Sequence, residues 1–185
     1  LLVFRSPITI AYGVHSAQDT DRDNAWSRAR TLTDGTHPGQ RSAYARFCSI
    51  TTRWMDNDVY GHVNNVVYYA FFDTAVNRML IEEGVLDIER SSLIGLVVET
   101  QCRYFAPITF PDAVAAGVRI ARIGTSSVQY EVGLFRNEED SASAEGRFVH
   151  VYVDRRTRRP KPIEPGMRAF LNTILIGAAG ADRYE

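Results

Sequence analysis

Cysteine pairs, long apolar runs and an excess of either charge are what this chain lacks, and each absence closes a class of explanation. Its two cysteines, Cys48 and Cys102, stand far apart, in neither a CxxC pair nor another metal-ligand spacing, which leaves no basis for a metal site. They are expected to be buried, reduced thiols. No stretch approaches the roughly 18–20 apolar residues of a membrane-spanning helix, and the opening Leu1–Phe4 run is too short for a signal-peptide core. A net charge of -1 leaves no footprint of a basic nucleic-acid-binding face. Rossmann glycine fingerprints, P-loops and internal repeats are also missing. What is expected is a soluble, cytoplasmic protein without a nucleic-acid or membrane partner. Its 185 residues, 45% of them hydrophobic, suit one globular domain.

The patterning divides the chain in three. Residues 1–42 read as a flexible N-terminal extension, because His15–Arg41 is polar, rich in turn formers and without periodicity. Residues 43–172 carry the domain, and 173–185 form a C-terminal tail. The domain opens with YARFCSITTRW, in which Cys48, Ile50, Thr52 and Trp54 share one side of a period-2 alternation, as in a core strand. One strong helix follows, from a cap at Asn64 to a stop at Gly84. Tyr68, Phe72, Ala75, Val76, Met79 and Leu80 form its apolar stripe, and Val66, Val67, Tyr69, Ala70 and Phe71 make its first half apolar all round. Such a helix needs to be wrapped. Four further segments read as strands at antiparallel-meander spacing: LIGLVVETQCRYF, AVAAGVRIARI, SSVQYEVGLFRN and SAEGRFVHVYVDR. The best solution is an α+β layout, an antiparallel sheet curling around the helix.

Chemistry concentrates in RWMDNDVYGHVNN, which sets two carboxylates, a glycine, a histidine and two asparagines between a strand and a helix start. Turn and cap formation account for Asp and Asn at such a place. Calcium is a second reading, since Asp56-x-Asp58-x-x-Gly61 begins like an EF-hand loop. It fails because Tyr60 stands at the fifth position and Val67 at the twelfth, where a bidentate Glu is required. His62 has no second His or Cys at metal-ligand spacing, so it reads as structural and no metal site is assigned. The functional reading is a helix N-terminus with unpaired N–H donors and a positive dipole end beside a carboxylate. An acyl thioester needs such a pair: a carboxylate to attack the carbonyl carbon or activate water, and donors for the charge developing on oxygen.

The run Trp54-Met55-Asp56-Asn57-Asp58-Val59-Tyr60-Gly61-His62-Val63-Asn64-Asn65, with Tyr68 following, resembles the signature of the 4-hydroxybenzoyl-CoA thioesterase-like hotdog family. The resemblance continues in order through Phe72-Asp73, Tyr104-Phe105-Ala106-Pro107, Gly124-Thr125-Ser126-Ser127, Ala144-Glu145-Gly146 and Val151-Tyr152-Val153-Asp154, and covers roughly residues 44–170. It implies a hotdog fold, homodimers or homotetramers with active sites at subunit interfaces, and hydrolysis of an acyl-CoA or acyl-carrier-protein thioester. Coenzyme A enters only as part of the substrate, and no cofactor is implied. Asp58 matches the family's catalytic Asp, as nucleophile or general base, while Asp56 reads as a turn-stabilising neighbour. The Asn65 amide is the carbonyl-polarising donor and Gly61 allows close backbone approach. His62 completes the catalytic set, with Tyr60, Asn64, Tyr68, Arg122 and Ser126 as substrate-binding residues. One departure is that relatives place a basic cluster for the coenzyme phosphates at the turn that here reads Ile123-Gly124-Thr125, where only Arg122 is near. Arg155, Arg156, Arg158 and Arg159 are the other candidates, against the reading of a solvated charged turn. Rival functions are a hotdog hydratase or dehydratase using Asp58 with His62, and a non-catalytic acyl-CoA-binding protein.

Overall fold

The computed structural model describes residues 37–176. Five strands form one antiparallel sheet: β1 (Arg46–Thr51), β2 (Leu93–Tyr104), β3 (Ala113–Ile123), β4 (Ser127–Arg136) and β5 (Ala144–Asp154), in the order β1-β3-β4-β5-β2. The long helix α1 (Asn65–Glu82) lies in the hollow of the sheet, and a short α2 (Pro165–Asn172) follows β5. This is the expected hotdog arrangement.

The helix forms where its signals predict. The Asn64 side chain accepts the Val66 N–H at 3.1 Å, and Gly84, at φ 69°, takes the left-handed conformation that ends the helix at little steric cost. Tyr68, Phe71, Phe72, Ala75, Val76, Met79 and Leu80 are buried against the sheet. Phe72 needs a glycine opposite: a Cβ on Gly146 would stand 2.6 Å from its ring. Burying such a side chain contributes about 1.5–3 kcal/mol. On β5, Ala144, Gly146, Phe148, His150 and Tyr152 alternate inward at period 2, and Tyr130 of β4 shares a buried 2.6 Å hydroxyl–hydroxyl bond with Tyr152.

Several expectations require correction. The last four strands are not one meander. β3, β4 and β5 are, but β2 crosses to pair with β5 from Leu93↔Asp154 to Tyr104↔Ala144. The reason is that β3 returns against β1 (Thr51↔Ala113), so the open edge left for β2 is that of β5. α1 is not the only helix: α2 buries Met167 and Leu171 four residues apart, a stripe too short to stand out in the sequence. Trp54 leaves the face it was expected to share with Ile50 and Thr52. β1 ends at Thr51, and Trp54 lies in a 3-10 turn, 83% exposed. Cys48 and Cys102 are free thiols, but half-buried; partial burial pushes the Cys102 thiol up to about 11.

The expected extension 1–42 falls mostly outside the described residues, as does 177–185 of the tail. Within them, residues 39–41 and 174–176 hydrogen-bond into the sheet unit. Gly39 N–H donates to Glu145 Oε1 at 3.2 Å, Arg41 N–H to Asp140 O at 2.7 Å, and Ile174 O accepts the Ile120 N–H at 3.0 Å. Tyr44 and Arg119 cover the outer face of β4, so Glu131 is buried there and answered by Arg119 at 2.7 Å.

Candidate active site

The segment between β1 and α1 folds back on itself before the helix begins. Asp56 is 1% exposed and accepts the Arg53 N–H at 2.7 Å and the Arg53 guanidinium at 2.8 and 3.0 Å. Its carbonyl accepts the Asn64 N–H at 2.8 Å, tying the start of the loop to the cap of α1. Between these points Asn57 bridges Val63, and the Asp58 N–H donates to His62 O at 2.8 Å. Residues 58–61 are thus the tip of a tight hairpin. Gly61 turns it with φ 83°, a value at which a side chain would be strained. Asp58 is half-buried, and its Oδ1 accepts the Tyr60 N–H at 2.8 Å in an Asx turn that aims the carboxylate.

Beside it the helix opens. The Val66 and Val67 N–H groups are taken by the Asn64 side chain (3.1 Å) and Asn64 carbonyl (2.9 Å), whereas the Asn65 N–H has no partner among the described residues. Tyr104 donates its hydroxyl to Asn65 O at 3.1 Å. An N–H without a partner among the described residues at the positive end of an 18-residue helix, following a hairpin that carries an oriented carboxylate, supplies a donor and an attacking or proton-accepting group.

The structure gathers Asp58, Tyr60, Gly61, His62, Asn64 and Asn65 in the hairpin and helix start, Tyr60 through its backbone N–H on Asp58 Oδ1, and separates the rest. Tyr60 points into solvent at 78% exposure, while Tyr68 is a core residue at 3%, its ring against Tyr104 at 5.0 Å and its hydroxyl pushed by burial up to about 12. The imidazole of half-buried His62 makes no hydrogen bond among the described residues. Arg122 and Ser126 sit at the far end of β3 and in the turn after it. From Ala113 to Arg122 the strand runs about 30 Å at roughly 3.3 Å per residue. Of the arginines after β5, Arg155 is committed to Ser91 O and Ile88 O at 2.7 Å each, and Arg156, Arg158 and Arg159 are exposed. No cluster of three or more His, Cys, Asp or Glu suited to a metal occurs among the described residues.

Sequence reasoning missed Asn57 and Thr109. Thr109 Oγ1 donates to Gly61 O at 2.7 Å and accepts from Asn57 Nδ2 at 3.1 Å, while Asn57 Oδ1 accepts the Phe110 N–H at 3.1 Å. Asn57 stood inside the motif, but Thr109 is 52 residues away and carries no local signal.

Residues 52–171 match the family model of the thioesterase-like superfamily. The chain belongs to that superfamily, whose enzyme class is the expected one, thioester hydrolase. Among solved structures, the PA5185 protein of Pseudomonas aeruginosa is 54% identical, with a TM-score of 0.74 over 76% of this chain and 99% of that one. A Thermus thermophilus thioesterase complexed with coenzyme A and zinc is 26% identical, with a TM-score of 0.60 over 71% of this chain and 95% of its own. The uncharacterized YsmA protein of Bacillus subtilis is 23% identical over 115 residues, covering 62% of this chain and 77% of that protein.

Proposed function

We propose that the protein hydrolyses an acyl-CoA thioester, fatty or aryl, to the free acid and coenzyme A. The Asp58 carboxylate acts as nucleophile or as general base for water, and the Asn65 N–H polarises the thioester carbonyl. The observation that carries this reading is the adjacency of an oriented, half-buried carboxylate and an unpartnered helix-start N–H, joined through the Asn64–Asp56 hydrogen bond. Water supplies the hydroxyl that replaces the thiolate on the acyl carbon, and the thiolate leaves with a proton, so no redox partner is needed. That a related structure, 26% identical, holds coenzyme A supports the choice of thiol.

The reading includes a homodimer. Arg122 stands at the end of β3 away from the Asp58 hairpin, about 30 Å of strand from Ala113, so a substrate touching both residues is read as meeting an Arg122 from a second copy. The edge strand β2 offers the surface: Leu96, Val97 and Val98 are 37–59% exposed in sequence, and Val66 at the start of α1 is 64% exposed. Release of free thiol from short, medium, long and aryl acyl-CoAs, with wild type and Asp58→Asn at matched folded concentration, tests the function. Turnover that vanishes in the variant is expected; a wild type that cleaves none of them refutes the acyl-CoA assignment.

A further inference from the structure

The Asp58 hairpin is not held by its own bonds alone, and what holds it from outside has a direct line to the carboxylate. The connection between β2 and β3 runs alongside the hairpin and meets it at four points. Ile108 O accepts the Val63 N–H at 2.8 Å, and the Phe110 N–H donates to Asn57 Oδ1 at 3.1 Å. Asn57 Nδ2 reaches Thr109 Oγ1 at 3.1 Å, and Thr109 Oγ1 donates to Gly61 O at 2.7 Å. The connection is itself anchored. Thr109 N–H donates to Asp112 Oδ2 at 3.0 Å, Asp112 Oδ1 accepts from Asn137 Nδ2 at 2.9 Å, and Asp112 O accepts the Thr52 hydroxyl at 2.6 Å.

The Gly61 carbonyl matters because of where it sits. Gly61 is the one residue of the hairpin tip at positive φ, and without a side chain its flanking peptides are the least restrained. The peptide that follows it leads into His62, whose carbonyl accepts the Asp58 N–H. Fixing the Gly61 carbonyl therefore fixes the strand opposite Asp58, and through it the Asx turn that orients the carboxylate. We propose that Thr109, relayed by Asn57, is a positioning residue of the active site: by gripping the Gly61 carbonyl it presents the Asp58 carboxylate in a single orientation. This rests on the reading of Asp58 as the catalytic carboxylate. Thr109 does not touch the substrate, so its loss acts on turnover and not on binding.

The test uses whichever of butyryl-, octanoyl-, palmitoyl- and benzoyl-CoA the wild type cleaves fastest. Thr109→Val, which keeps shape and removes the hydroxyl, should lower kcat about 10- to 100-fold, the scale of a small misplacement of a reacting group, with KM unchanged within about twofold. Thr109→Ser, which keeps Oγ, should recover most of the rate. A merely structural threonine would lower the melting temperature without this kcat-against-KM split or the serine rescue. Full kcat in Thr109→Val, or serine and valine variants equally impaired, would overturn the proposal. If Thr109→Val does not fold, Thr109→Ala carries the same expectation, since it too removes the hydroxyl that donates to Gly61 O. Asp58→Asn run in parallel separates the failures: hydrolysis that survives it refutes the Asp58 reading and this inference together. Hydrolysis lost in Asp58→Asn but intact in Thr109→Val refutes this inference alone.

Discussion

The two ends of β3 are built to present opposite charge. At its start the chain spends nearly every polar group: Asn57, Asp58, Gly61, Val63, Thr109 and Asp112 are linked by hydrogen bonds of 2.7–3.1 Å, and the Asn65 N–H is left over. At its finish stand exposed Arg122 and the turn 124–127, where Arg168 is drawn away to Gly124 O at 2.6 Å. A rigid, acidic, donor-bearing end suits bond breaking. The turn at the other end is as firmly bonded, with Ser126 O accepting the Tyr152 N–H at 2.6 Å and Thr125 O the Ile163 N–H at 3.0 Å, but what it presents is the exposed Arg122, a cation at the rim, where charge contributes little to affinity. The length of β3 between the ends is what the proposed shared site turns on.

The largest blow to this contrast is Asp58→Asn. It removes the carboxylate but keeps an acceptor for the Tyr60 N–H, so kcat should fall by about 10²–10⁴, the range of a lost general base, while the circular dichroism spectrum stays that of the wild type. Joining of the ends is tested by Val98→Lys on the exposed edge of β2. A charge there should turn dimers into monomers in sedimentation and lower hydrolysis by roughly tenfold or more; a monomeric variant with full activity would break the case for a shared site. At the cationic end, Arg122→Ala should raise KM for acyl-CoA about three- to tenfold with kcat unaltered, and the difference should shrink as salt is raised. The smallest effect is expected from Asn64→Ala. Loss of the 3.1 Å cap should cost about 1 kcal/mol, read from urea unfolding.

Much of this was legible beforehand, and the residues show why. The helix limits followed from local chemistry, a cap at Asn64 and a left-handed glycine at Gly84. β3 was read residue for residue, because AVAAGVRIARI is bounded by Pro-Asp and Gly-Thr-Ser turns. Trp54 was misplaced because alternation carries no sign of where a strand stops, and here a 3-10 turn, Trp54–Asp56, follows, held by Asp56 accepting the Arg53 N–H. Within the candidate site, the members drawn from one continuous motif came together, all but Tyr68, although the Tyr60 side chain is exposed. The members drawn from a distant turn, Arg122 and Ser126, did not join them.

By itself the sequence determined what depends on neighbours along the chain: the capped helix, the period-2 strands, the turn-rich segment around Asp58 and membership of the thioesterase-like superfamily. Only the tertiary structure decided what depends on partners far along it: that β2 closes against β5, that Glu131 is buried under Tyr44 and Arg119, and that Thr109 grips Gly61 from 48 residues away. The physical reason is range. Caps, turns and periodicity act over a few residues and leave a local mark. A hydrogen bond between distant segments leaves none until the sheet has brought both donor and acceptor to the same place.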